Sequence, residues 1–466
     1  MACAQFSCNN CDVSTSHGTD ELSPQPSMLL AFRGQNLRSF RDPFELSLLA
    51  TSMAEPGVTH RVPWRNGGKP VDVLPAAAVY GANASGKSNV LRAMNDMRSH
   101  VLFSFRAADR NGGFPRRAFL LGEGKNNPSC FEVDLVLEGV RHEYGFIVDD
   151  KHVLEEWAVH YPRGREALLF KRIGEDVELG ASIRGRARAT VELLRPNALF
   201  LSTDAAVKQP VLSLLFGWFT RNLVLAEAES RALRQALTTR MLENPATRDS
   251  VLEMLRAADL GVSDAKRNEM DPVMRERFRR ALRILEGIEA ESESGADEGP
   301  DFDEFGVRLV HHGAAGSVEF EQQDESLGTL VWFGLVGPIL ESLAHGSVFL
   351  ADELDSSLHP ALVAQLVWLF QDPAVNSRRA QLVLNSHDAI LLGDSAGSRL
   401  LGRDQVWFTE KNPDGSSRLY PLSGLDPRKE EAIGRRYLTG RYGAKPIVSH
   451  QEFAAAAELV MNGRDL

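Results

Sequence analysis

The apolar positions of this chain change rhythm along its length, and each rhythm predicts a different element. Met28-Leu29-Leu30-Ala31-Phe32 and residues 44–49 are short apolar runs around a turn, the pattern of two strands. Residues 55–70, rich in Gly, Pro and Arg, read as a loop. Val71-Asp72-Val73-Leu74 comes next, then Pro75-Ala76-Ala77-Ala78-Val79-Tyr80. The second run is continuously apolar, as a strand buried on both faces must be. Beyond it, Val90, Leu91 and Met94 share one face of a predicted helix. From 129 to 170 the period falls to two: Phe131, Val133, Leu135 and Leu137 alternate, as do Tyr144, Phe146 and Val148, and residues 152–159 and 167–172 predict further strands.

Residues 205–287 carry helical spacing, with Leu212, Leu215, Phe216 and Phe219 in one stripe and Leu225, Ala228, Ala232 and Gln235-Ala236 in another. Asn244-Pro245 interrupts the pattern, and Thr247 is the N-cap expected for the next helix. Asp271-Pro272 opens a further helix over 273–286 that carries Arg275, Arg277, Arg279 and Arg280; such a cluster reads first as a solvated face and second as a nucleic-acid contact. Residues 289–304 are acidic and Ser/Gly-rich, a mobile loop without the spacing of a calcium loop. Downstream, an apolar helix covers 330–344, Val348-Phe349-Leu350-Ala351 and Gln381-Leu382-Val383-Leu384 are buried-strand runs, and Leu362, Val363, Leu366, Val367 and Phe370 form a helical face behind Pro360. Asn412-Pro413-Asp414-Gly415 heads a hairpin, and the chain closes on a helical segment with no internal repeat.

The composition adds limits. A chain of 466 residues with 43% hydrophobic and 25% charged residues has an ordinary globular balance, and a net charge of −11 supplies no overall positive field for DNA or anionic lipid. The apolar stretch 328–340 is shorter than the roughly 20 residues of a membrane span, and the first residues lack the layout of a secretory leader, so the expected location is cytoplasmic, away from membranes. Three of the four cysteines, Cys3, Cys8 and Cys11, fall in a polar stretch read as a disordered tail over 1–27; Cys8-x-x-Cys11 without a second ligand pair is an incomplete zinc site. Met28, opening the first strand, is the expected natural start.

The chemistry begins at Gly81-Ala82-Asn83-Ala84-Ser85-Gly86-Lys87-Ser88, which fits G-x-x-x-x-G-K-[ST] between a predicted strand and a predicted helix. In such a loop backbone N–H groups cradle phosphates, Lys87 reaches the β and γ phosphates and Ser88 holds Mg²⁺. Far downstream, the apolar run 348–351 ends in Asp352-Glu353, a Walker B arrangement: Asp352 for the Mg²⁺, Glu353 to orient and deprotonate the attacking water. Asp355-Ser356-Ser357-Leu358-His359-Pro360 follows directly, and the run 381–384 ends in Asn385-Ser386-His387-Asp388, which puts His387 at a strand's carboxyl end, within reach of a γ-phosphate. Upstream, Asp324-Glu325-Ser326-Leu327-Gly328-Thr329 opens the long apolar helix; Ser326 and Gly328 stand where free N–H groups favour an anion, although alone they also fit a plain N-cap.

In this order the motifs resemble the ABC-type ATPases of the RecF/SMC/OLD branch, and more narrowly the bacterial abortive-infection ATPases of the AbiL type. Asn36-Leu37-Arg38-Ser39-Phe40 and Tyr437-Leu438-Thr439-Gly440-Arg441-Tyr442-Gly443-Ala444-Lys445-Pro446 add to the likeness. The resemblance implies an α/β fold: an ABC-type P-loop ATPase head with an antiparallel β subdomain and a helical insertion. It divides the chain into an N-terminal ATPase lobe over 28–200, a helical insertion with its acidic loop over 201–304, and a C-terminal lobe over 305–466. It implies ATP and Mg²⁺ as cofactors, with Gly81, Asn83, Gly86, Lys87, Ser88, Asn89 and Asp355 on the nucleotide, Ser88 and Asp352 on the metal, and Glu353 and His387 in catalysis. It also implies a homodimer with ATP sandwiched between subunits, open to higher assembly, in which Ser326 and Gly328 of one copy cap the γ-phosphate bound by the other. The signature departs from the usual pattern at Leu327 and Thr329, and no Q-loop glutamine is placed. The implied role is a sensor or regulator in anti-phage defence, controlling a separately encoded nuclease or toxin effector in response to a DNA or phage-protein trigger; the alternative is a RecF/SMC-like DNA-repair or DNA-maintenance ATPase. Residues 388–466 read as occupied by the hairpin at Asn412-Pro413-Asp414-Gly415 and the final helical segment, so no nuclease domain after the ATPase is expected in this chain.

Overall fold

The computed structural model describes residues 27–462 except 56–57, 65–67, 107–111, 269–305, 315, 394–398 and 446–448. The cysteine pair of the tail, the arginine-bearing helix over 273–286 and the acidic loop lie outside the described residues.

In chain order, β1 (Met28–Gln35), β2 (Phe44–Ser47), β3 (His60–Val62), β4 (Val71–Val73) and β5 (Ala76–Gly81) lead into α1 (Lys87–Phe103). Next come β6 (Ser129–Leu137), β7 (Val140–Val148), β8 (Val153–His160), β9 (Ala167–Ile173) and β10 (Asp176–Leu179). Helices α2 (Ala187–Leu193), α3 (Phe200–Val207) and α4 (Pro210–Arg221) precede β11 (Leu223–Ala226); α5 (Arg231–Glu243) and α6 (Arg248–Ala257) precede β12 (Val262–Asn268). After β13 (Gly306–Gly313) and β14 (Gly316–Phe320) follow α7 (Leu327–His345), β15 (Val348–Ala351), α8 (Pro360–Gln371), β16 (Gln381–Ser386), β17 (Val406–Lys411), β18 (Ser417–Pro421), α9 (Ile433–Leu438) and α10 (His450–Asn462).

Two sheets organise these elements. A seven-stranded antiparallel sheet runs β10-β9-β8-β7-β6-β1-β2, and a six-stranded sheet runs β11-β15-β16-β5-β17-β18, parallel except for its last pair. The continuous apolar runs of the sequence are the central strands of the second sheet, because both of its faces are covered. Their side chains divide by strict alternation: Ala77 and Val79 of β5, Val348 and Leu350 of β15 and Val383 of β16 enter one core, while Ala76, Ala78, Tyr80, Phe349, Ala351, Leu382 and Leu384 enter the other. The first core joins the two sheets over α1, whose Val90, Leu91 and Met94 are buried in it as the spacing predicts. This is the α/β architecture expected, with parallel P-loop sheet and antiparallel β subdomain.

Several readings need correction. The stripe that included Leu225 and Ala228 is not helical there: Leu223–Ala226 is a strand that pairs parallel with β15, in register Leu223↔Val348 to Ala226↔Ala351. A four-residue apolar run does not distinguish helix from buried strand by periodicity, and Ala228 and Ala232 completed a false helical spacing. The presumed loop over 55–70 contains β3, paired with β4, and the three-stranded sheet β12-β13-β14 was not anticipated. Thr247 does hold the N-cap position of α6, yet its hydroxyl donates to Met241 O (2.6 Å) rather than capping. The helix behind Ser326 is longer than 328–340: α7 has 19 residues and, among the described residues, is the one helix long and apolar enough to cross a membrane. Its Trp332, Phe333, Leu335, Val336 and Ile339 are buried in the second core, against α5 and α6.

Candidate functional site

The carboxyl ends of β11, β15, β16 and β5 lie side by side, and at such an edge of a parallel sheet loops and helix N-termini converge on a ligand. β5 delivers Gly81, and the loop turns into α1 at Gly86, whose φ of 112° is one that L side chains rarely adopt; a Cβ there would meet the hydroxyls of Ser417 and Ser39 at 2.6 and 2.9 Å. Gly81 is packed as tightly: a Cβ would stand 2.4 Å from Thr409 Oγ1 and 2.5 Å from Ser85 Oγ. The loop is braced from beneath, since Ser85 and Thr409 share a hydrogen bond (2.7 Å) and Thr409 Oγ1 donates to Tyr80 O (3.3 Å).

Lys87 is buried, and its Nζ donates to the carbonyls of Gly81 and Ala82, each at 3.0 Å. Burial lowers its pKa to about 8 against the opposing fields of Glu353, Asp355 and Asp352. Those fields place the Walker B acids around the lysine. His387, one residue past β16, keeps much of its surface exposed; partial desolvation of the ring, then the charge of Lys87, holds its pKa below the ordinary value, with Asp355 and Glu353 opposing. Both effects favour the neutral imidazole, in which one nitrogen donates and one accepts.

Asn385 ties these pieces together. Its Nδ2 donates to Ser88 Oγ (3.2 Å) and to Asp352 Oδ1, and its Oδ1 accepts from Glu353 N (2.6 Å). One buried amide thus fixes the P-loop hydroxyl, the buried Asp352 carboxylate and the backbone of Glu353. Glu353 itself has φ 52° and ψ 39°, the left-handed region that costs a non-glycine residue of order 1 kcal/mol or more. That conformation turns the exposed Glu353 out of the strand direction at the strand's end. Asp355 braces the next turn: its Oδ2 accepts from Ser386 Oγ (2.8 Å), His387 N (2.5 Å) and Asp388 N (3.2 Å). Its Oδ1 is buried without a hydrogen-bond partner among the described residues.

Gly81, Gly86, Lys87, Ser88, Asp352, Glu353, Asp355 and His387 therefore come together in one chain. Asn83 lies exposed at the loop tip, and Asn89 spends its amide on Ser39 Oγ (2.8 Å). Ser326 and Gly328 are placed differently. Ser326 caps α7, its exposed hydroxyl accepting from Thr329 N (3.1 Å) and bonding Thr329 Oγ1 (2.9 Å), and among the described residues its hydrogen bonds stay within that turn. Gly328 packs towards the loop after β15, where a Cβ would stand 3.0 Å from Ser357 O.

Four contributors were given no role by the sequence reading. Asn385 was legible in kind, a buried amide ending an apolar strand beside Walker B. Arg92 and Glu227 were not: Arg92 Nε donates to Glu227 Oε2 (3.1 Å), and Glu227 follows the strand misread as helix. Tyr437, from the C-terminal motif, lies under the P-loop, its ring 5.5 Å from that of Tyr80 and 5.7 Å from that of Phe408; burial raises its hydroxyl pKa, opposed by a hydrogen bond with the backbone of Gly81.

The donor set suits a hard cation shared with phosphates. Ser88 offers a hydroxyl and Asp352 a carboxylate, and Mg²⁺ is usually held by one or two such groups, with phosphate and water completing six oxygens. Among the described residues no group of three or more His, Cys, Asp or Glu is arranged to hold a metal by itself.

Comparison with known proteins gives a family. The family described as "AAA domain, putative AbiEii toxin, Type IV TA system" matches residues 76–393, which span every motif from the P-loop to His387. No curated protein matches the sequence. Among solved structures, the chain is similar to the SmcHead bound to the C-winged helix domain of ScpA (11% identity, 85% of this chain and 99% of that one, TM-score 0.39). It is also similar to the SMC head domain from Thermotoga maritima (11% identity, 84% and 98%, TM-score 0.36) and to the recombination mediator protein RecF with ATP in the RecFOR pathway (12% identity, 86% and 99%, TM-score 0.33). Because the family match covers more than half of the 466 residues, the chain belongs to this AAA-domain family of P-loop nucleotide-binding ATPases.

Proposed function

We propose that the protein binds and hydrolyses ATP in a site shared between two copies, and that this cycle makes it a sensor or regulator in bacterial anti-phage defence, acting on a separately encoded nuclease or toxin effector. The observation that carries the ATPase reading is the Asn385 network, which joins Ser88, Asp352 and Glu353 at one edge of the sheet. Lys87 and the loop N–H groups bind the phosphates. Bound Mg²⁺, held by Ser88 and Asp352, would supply charge neutralisation at the phosphate oxygens. Glu353 accepts the proton of the attacking water, and neutral His387 donates to the γ-phosphate. Ser326 and Gly328, at the N-terminus of α7, are exposed enough to meet a γ-phosphate held by a second copy, where free N–H groups favour an anion. The γ-phosphate then stabilises the closed pair because only that state completes its contacts. The family's description, with its toxin and type IV toxin–antitoxin system, supports the defence role.

Two experiments test the reading. Glu353→Gln keeps Mg·ATP binding and slows turnover by at least about a hundredfold, the scale of a lost general base; unchanged turnover removes Glu353 from that role. In cells carrying the gene with its neighbours, Lys87→Ala abolishes protection against phage while the protein remains folded. Retained protection, together with DNA-stimulated hydrolysis, transfers the protein to DNA maintenance.

A further inference from the structure

Arg92, on the second turn of α1, reaches three carboxylates at once. Its Nε donates to Glu227 Oε2 at 3.1 Å, and its Nη2 lies 3.6 Å from Glu229 Oε1 and 3.5 Å from Asp352 Oδ2. The acids follow two adjacent parallel strands, β11 and β15, which pair as far as Ala226↔Ala351. A single guanidinium is thus shared between the carboxylate of the metal site and two acids that open the path into α5.

The sharing is unequal. The link to Glu227 is a hydrogen bond, whereas the contact with Asp352 is one of charge alone. Asp352 does not need Arg92 for its orientation, because Asn385 holds its other oxygen, Oδ1. What Arg92 supplies there is positive charge, in competition with a cation. The Asp352 side chain is only 4% exposed, so water and salt screen the competition weakly.

The other end of the contact is built into the helices. Glu227 O accepts from Arg234 Nη2 (2.9 Å) and Ser230 Oγ (3.0 Å), so the residue is fastened to the start of α5. From α5, Gln235 Nε2 donates to Leu330 O (3.2 Å) and Thr238 Oγ1 accepts from Gly337 N (3.0 Å). Both partners lie on α7, the helix that Ser326 caps.

We propose that Arg92 is a positioning residue that reports the state of the metal site to α7. A cation at Asp352 repels the guanidinium towards Glu227 and Glu229, which tightens α1 onto α5 and, through it, steadies the helix whose N-terminus faces outward at Ser326. The proposal rests on the reading that Asp352 takes Mg²⁺, and it names the residues that link that ion to the second half of the site.

Binding of a fluorescent ATP analogue by the full chain, with Mg²⁺ titrated, tests it. Arg92→Met lowers the half-saturating Mg²⁺ concentration roughly tenfold, the usual scale for a group just outside a metal's ligands. Glu227→Gln, which releases the guanidinium towards Asp352, raises it, and the double variant follows Arg92→Met. General loss of structure would move both single variants in the same direction, so shifts of equal sign, or none, overturn the proposal. Hydrogen exchange supplies a second readout: Mg·nucleotide protects 327–345 in the wild type and not in Arg92→Met, and equal protection in both also overturns it. Arg92→Lys, a milder change, keeps the wild-type Mg²⁺ dependence and loses part of that protection; a shift as large as that of Arg92→Met argues against a role for the charge. Asp352→Asn separates the two levels: if its Mg²⁺ dependence equals that of the wild type, it is the metal assignment that fails.

Discussion

At the scale of residues, two side chains set the behaviour of the site. Lys87 is buried far enough to have a pKa of about 8, below its ordinary 10.5. Since the folded value is depressed for a base, the unfolded chain holds more protons between about pH 8 and 10.5, and this group favours folding increasingly as pH rises through that window. Phosphate binding has the opposite sign, because it needs the charged amine. ATP affinity therefore falls as pH rises from 7 to 9, bending near pH 8, while the weaker binding of Lys87→Met changes less with pH; calorimetric titration at a series of pH values checks this. Asn385 is the second. Asn385→Ala removes the amide shared by Ser88, Asp352 and Glu353, costs about 1–3 kcal/mol of folding stability through the buried groups left unpaired, and weakens Mg²⁺ binding about 10- to 100-fold. Thermal melts and Mg²⁺ titrations measure both, and a variant with normal Mg²⁺ affinity would show that the network is ornamental to the metal. The residues that announced themselves in sequence were those with fixed spacing along the chain, Lys87 and Ser88 or Asp352 and Glu353. Arg92 and Glu227 could not be seen there, because their pairing exists only once β11 is laid beside β15.

At the scale of elements, legibility followed the clarity of the period. β5, β15 and β16 were readable because a sheet covered on both faces demands unbroken apolar runs; α1 and α8 were readable because one face of each enters a core. β11 was misread because four residues are too few to carry a period, and the three-stranded β12-β13-β14 sheet was missed because its last strand is largely exposed and offers little apolar alternation. The C-terminal motif gains a physical reason at this scale. α9 brings Tyr437 against Tyr80, Phe408 and the backbone of Gly81, so the end of the chain supports the start of the P-loop. Tyr437→Ala should cost about 3–5 kcal/mol, as other large-to-small changes at buried aromatic positions do, and should weaken ATP binding as the loop's support is lost. Denaturant melts with and without nucleotide distinguish this from a purely local change; a loss well under 1 kcal/mol would mean that α9 is not part of the folding unit.

At the scale of the whole molecule, one chain supplies half of each proposed site. Lys87, Ser88, Asp352, Glu353 and His387 surround one region, while Ser326, among the described residues, keeps its hydrogen bonds within its own turn and is exposed. Complementation tests the division. Lys87→Ala and Ser326→Arg each abolish hydrolysis alone, but a mixed pair retains one intact site, formed by the P-loop of the second variant and the signature of the first, so mixing restores part of the turnover; no recovery from folded, associating variants would count against a shared site. The central claim, that ATP joins two copies, is met most directly by sedimentation velocity on Glu353→Gln, in which bound ATP persists. The account predicts a shift from monomer to dimer on addition of Mg·ATP, no shift with Mg·ADP, and none when Ser326→Arg is added. A Glu353→Gln protein that is saturated with Mg·ATP and still sediments as a monomer would contradict it.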